Sequence, residues 1–126
     1  MSSVFTAHND DGEQLTVARL TGAAQRHAPR REPTEEAWRE PTDEESAAAV
    51  AELREIAGRR PDLLAQVAGL IIGFYAGTAE EPRARTAARY CRAAGADPDL
   101  IPRWIAEGKR RAGYARTDPW AGYLAS

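Results

Sequence analysis

Apolar positions along this chain form one stretch that is hydrophobic on every side, flanked by several that are hydrophobic on one side only. Residues 61–77 read PDLLAQVAGLIIGFYAG, and between Leu63 and Tyr75 Gln66 is the one polar side chain. An all-round apolar helix has to be covered by its neighbours. The pattern therefore predicts a buried central helix over 61–76, opened by Pro61 at its first position and closed by Gly77. Gly69, Gly73 and Gly77 recur at four-residue spacing. Each interior glycine costs a helix up to about 1 kcal/mol relative to Ala, so a close backbone approach is the expected compensation.

The covering elements are amphipathic. Thr42 followed by Asp43, Glu44 and Glu45 has capping-box spacing and opens a helix over 43–57 with Ala49, Val50, Leu53, Ile56 and Ala57 as its apolar stripe. Glu80, Glu81 and Pro82 open another over 81–94, stopped by Gly95. On that helix Ala84, Ala87, Ala88 and Cys91 make a narrow face of small side chains, the expected counterpart of the glycine ridge. Gly69, Gly73, Gly77, Ala84 and Ala88 are thus the candidates for close helix packing, or for the seam of a homodimer. A fourth helix is predicted over 98–113, with Ile101, Trp104, Ile105, Gly108 and Ala112 buried.

The ends read differently. Residues 1–41 hold few large apolar side chains and three prolines, at 29, 33 and 41, which predicts a flexible acidic tail. Within it NDDG between two mixed segments predicts a short hairpin over 4–20. Trp38, alone in a polar stretch, is the expected tail anchor. Residues 117–126 form an aromatic C-terminal tail in which Trp120 is the second candidate anchor. The expected fold is all-α, a small four-helix domain over 42–116 around the Gly-ridged helix.

Charge adds an asymmetry that the net value of -2 conceals. Residues 1–82 carry 8 Lys+Arg against 15 Asp+Glu, whereas residues 83–126 carry 9 against 4. Such a bipolar chain suits contact with itself or a partner better than uniform coating of nucleic acid. The Ala/Arg-rich usage resembles that of high-GC genomes. A single cysteine, Cys91, allows no internal disulfide, and neither a secretory leader nor an apolar run near 20 residues stands out, so a soluble, cytoplasmic protein without membrane contact is expected.

Catalytic chemistry lacks its pieces. His8 and His27 have no Cys or His at ligand spacing, and setting Gly12 as a calcium-loop glycine puts Ala7 and Ala18 where carboxylates belong. No catalytic residue, metal or cofactor is expected. The chemistry-bearing feature is cationic: Arg85, Arg89 and Arg92 share one side of the 81–94 helix, and Arg103, Lys109, Arg110 and Arg111 lie on the polar side of the next. These seven are the candidate partner- or nucleic-acid-binding residues, with the acids between Glu32 and Glu45 as alternative partners for the arginines.

The stretch 86–112, TAARYCRAAGADPDLIPRWIAEGKRRA, resembles the helix-turn-helix of excisionase and MerR-like proteins. Gly95 stands for the turn glycine, Asp97 for the N-cap, Ile101 and Trp104 for buried positions, and Gly108 with Lys109 for the closing pair. The resemblance implies a second helix in the major groove of double-stranded DNA, basic residues on phosphates and Arg103 as the guanine reader. Pro102 requires that helix to begin late or to kink. The sequence thus predicts a non-enzymatic adaptor or regulatory protein working through protein contacts, with a DNA-binding regulator or excision-type accessory factor as the alternative.

Overall fold

The computed structural model describes the backbone of residues 2–30 and 38–117 and the side chains of 12–30 and 38–114. Five helices follow one another: α1 (Ser2–His27), α2 (Asp43–Ala57), α3 (Pro61–Tyr75), α4 (Glu81–Ala94) and α5 (Ile101–Thr117). The fold is all-α, and no strand occurs among the described residues.

Local chemistry fixes the boundaries. Thr42 Oγ1 accepts from Glu45 N at 3.1 Å while Thr42 N donates to Glu45 Oε1 at 2.9 Å, a complete capping box at the head of α2. Gly95, at φ +118°, ends α4 in a left-handed conformation that glycine adopts without strain. The last helix starts later than the pattern over 98–113 predicts. Asp97 Oδ1 accepts from Asp99 N at 3.0 Å, and Leu100 N donates to Asp97 O at 3.2 Å, so 97–100 is a turn. Pro102 then falls in the first turn of α5, where a helix has no use for its missing N–H.

Two expectations are corrected. Residues 4–20 are not a hairpin but part of α1, so Ser2–His27 is not the flexible tail expected over 1–41 but a fifth helix that joins the expected four. Its second half enters the core through Leu20, Ala23 and Ala24, with Ala28 just beyond, at i, i+3, i+4 and i+8. Three of the four are alanines, and such a stripe is faint against the surrounding polar residues. The C-terminal carbonyls of α1 are met by α4: Arg83 donates to Gln25 O and, at 3.3 Å, to Ala28 O, and Tyr90 Oη donates to His27 O at 3.3 Å.

The second correction concerns the ridge. Gly69 and Gly73 meet α5 rather than the alanine face of α4. A Cβ on Gly69 would press on Trp104 Cβ and lie 2.7 Å from Ile101 O; one on Gly73 would meet Ile105 O and lie 2.8 Å from Lys109 N. Gly108 answers from α5, where a Cβ would lie 2.6 Å from Leu70 O. Gly77 has no part in this seam: at φ +76° with open space around it, it is a turn residue. Ala84 and Ala88 are buried on α4.

α3 lies at the centre, packed on α5 along the seam and on α4, α1 and α2 elsewhere. α1 and α2 pack on each other and on α4, whereas among the described residues no Cα of α4 comes within 8 Å of one in α5. Leu20, Leu53, Val67 and Cys91, one from each of the first four helices, are the largest fully buried side chains. Burial of a Leu or Val contributes about 1.5–3 kcal/mol. No helix among the described residues is long and apolar enough to cross a membrane.

Candidate functional site

α4 buries its alanines and thereby turns Arg85, Arg89 and Arg92 outward, all three exposed. Arg85 Nη2 pairs with Glu81 Oε1 at 3.3 Å within the helix. Arg89 Nη2 donates to Thr86 Oγ1 at 3.0 Å and to Glu40 Oε2 at 3.3 Å. Arg92 has no ion pair among the described residues. Among the described residues the alternative partnering of the stripe with acids of the 32–45 segment is realised once, at Glu40.

Beside this stripe the segment 38–40, ahead of α2, lies at the edge of α4. Trp38 there is half-buried and forms a wall common to two cavities. One, of about 430 Å³, has Ile72 and Ala88 in its apolar lining and the three arginines around it. The other, of about 370 Å³, lies towards Tyr75, Arg30 and Arg83. Arg83 is engaged with the end of α1, as described above. Next to Trp38, Arg39 holds both oxygens of Glu45 at 2.7 and 2.9 Å. This pairing, with the Thr42 N–H, lowers the Glu45 carboxyl to about 2, and it pins this segment to the start of α2.

The α5 cations are placed differently. Arg110 donates to both oxygens of Glu107, at 2.9 and 2.6 Å, and Arg111 Nε reaches the same carboxylate at 3.0 Å. The two guanidiniums lower Glu107 to about 2. Arg103 is exposed and lies over the Trp104 ring, 5.6 Å from its centroid. Lys109 is exposed, with no ion pair among the described residues. Because the α4 and α5 backbones do not approach each other closely, the seven candidate cations belong to two separate sets; all three of the α4 set line one cavity, whereas from the α5 set Arg111 lines another, of about 350 Å³, with Leu70, Phe74 and Tyr75. Trp120 lies outside the described residues, as does the side chain of His8.

Other chemistry-bearing groups are engaged structurally. His27 Nε2 lies 2.6 Å from Glu52 Oε2, and Arg26 pairs with the other oxygen; the two contacts, His27 first, hold the Glu52 carboxyl below its usual range. Burial pushes the Cys91 thiol up to about 12, so it is unreactive in the folded state. Among the described residues no cluster of three or more His, Cys, Asp or Glu is arranged to hold a metal.

Sequence reasoning singles out Trp38 and the stripe but misses the cavity lining from α3 and Pro82, and it does not single out Glu40. The proximity of Trp38 and Glu40 in the chain carries a trace of the site, since both line the same cavity. Ile72 carries none, because helix packing alone brings it there. No family model, curated protein or solved structure matches this chain.

Proposed function

We propose that the protein is a non-catalytic helical adaptor or regulatory protein that works through protein–protein contacts, with the Trp38 groove as its contact surface. The observation that carries this reading is the apolar lining, Ile72 and Ala88 beside Trp38, ringed by three exposed arginines. Trp and Arg dominate binding energy at protein interfaces. The ion pairs on these arginines are exposed, and exposed pairs contribute only about 0–1 kcal/mol, so a partner can exchange them readily.

Photo-crosslinking in extract of the source cells tests this reading. A benzoylphenylalanine at position 85 should give discrete protein adducts, and one at exposed position 59, between α2 and α3, should give none. Adducts at neither position, or equally at both, would reject the groove as the contact surface.

The second reading is DNA binding through residues 86–112. It is favoured by Arg103, exposed in the first turn of α5, and by Lys109. Against it weigh the separation of the α4 and α5 backbones, the six residues between them where the motif uses three or four, and the Glu107 carboxylate engaging Arg110 and Arg111.

A further inference from the structure

Glu40 sits on the arginine face as an intramolecular ligand. Its carboxylate meets Arg89 through a single contact of 3.3 Å, with side chains 80% and 56% exposed, so water screens the pair and little holds it. One turn along the helix Arg92 has no ion pair among the described residues, and between these cations and Trp38 lies the apolar cavity. The groove therefore offers two arginines to carboxylates and a pocket to an apolar side chain at the same time.

We propose that the Trp38 groove binds an extended acidic peptide segment carrying one large apolar side chain, and that Glu40 competes with that segment for Arg89. This rests on the reading of the groove as the contact surface. The apolar group enters against Ile72 and Ala88 while flanking carboxylates take Arg89 and Arg92, the first by displacing Glu40. Charge complementarity selects the occupant. A carboxylate already accepts from Arg89, so the face admits a carboxylate, and a partner's can improve on the single long contact with a paired one. A DNA backbone has phosphates for the arginines but nothing apolar for the pocket.

Fluorescence anisotropy of a fluorescein-labelled peptide EEFEE with the full chain tests the proposal, with EEGEE, KKFKK and a random 20-base-pair duplex as comparison probes. EEFEE should bind, EEGEE several-fold more weakly, and KKFKK not at all. Glu40→Ala should tighten EEFEE by about two- to five-fold, the range set by an exposed ion pair. Arg89→Ala with Arg92→Ala should weaken it at least about ten-fold. All three side chains are exposed, and circular dichroism should report unchanged helicity in each variant.

No EEFEE binding by the folded wild type and Glu40→Ala proteins would overturn the acidic occupant, and an unchanged affinity in Glu40→Ala would overturn the competition. Tighter binding of the duplex, lost in the same arginine variants, would make the face a phosphate surface and overturn the proposal. Crosslinks from position 85 together with a failed peptide titration would leave the contact surface standing and remove only its acidic occupant.

Discussion

A methyl group added at Gly73 has no space to occupy. The Cβ would meet backbone atoms of Ile105, Lys109 and Gly108, and backbone cannot swing aside as a side chain can. Overpacking of this kind costs about 1–3 kcal/mol, occasionally more. Gly73→Ala should therefore lower the urea midpoint by a corresponding amount. Gly22, inside α1 with nothing within 4 Å of a built Cβ, gives the opposite sign: Gly22→Ala should stabilise by about 0.5–1 kcal/mol through propensity and a less flexible unfolded chain. Equal effects from the two substitutions would mean that the α3–α5 seam is looser than its geometry. The seam also bears on self-association. Gly69 and Gly73 are occupied by α5 of the same chain, so a homodimer would have to use another surface.

At the scale of elements, acid should loosen the molecule through its caps and helix pairs. Glu45 and Glu107 have folded pKa values of about 2, below their ordinary 4.5, and Glu52 is lowered as well. A carboxylate depressed in the folded state adds stability above its unfolded pKa and loses it as pH falls towards the folded value. The melting temperature should accordingly hold between pH 7 and about 5 and fall between about pH 4.5 and 2. In Arg39→Ala, where Glu45 loses its largest pKa-lowering contact, that fall should be shallower. A slope identical to wild type would remove the Arg39 pair from the acid response.

Much of this architecture is legible in the sequence. Thr42 with Glu45, Pro61, Pro82 and Gly95 are local signals, and α2, α3 and α4 begin or end at them. What is not legible depends on distant contacts. α1 is stabilised by a mostly alanine stripe and by donors from Arg83 and Tyr90, more than fifty residues away. The partner of the glycine ridge is hidden for a related reason. Both α4 and α5 offer small residues, and chain connectivity leaves open which of them reaches Gly69 and Gly73. In the site, the arginine stripe follows from helical periodicity, whereas the cavity against Trp38 exists only once α3, α4 and the segment after α1 are assembled.

For the whole molecule, the acidic front and basic back of the chain meet inside one fold. Among the described residues two ion pairs join the halves, Glu40 with Arg89 and Glu81 with Arg85, so a small part of the asymmetry is spent internally, and what remains outward is the α4 face and part of α5. Under the proposed function this residual charge serves protein contacts rather than nucleic acid. Titration of the full chain into a fluorescein-labelled random duplex at about 50 mM salt tests it most directly, because electrostatic DNA binding is strongest there and falls steeply by about 200 mM. No saturable change in anisotropy is expected at low salt. Saturable binding that is lost at the higher salt and weakened by Arg103→Ala and Lys109→Ala would contradict the proposed function.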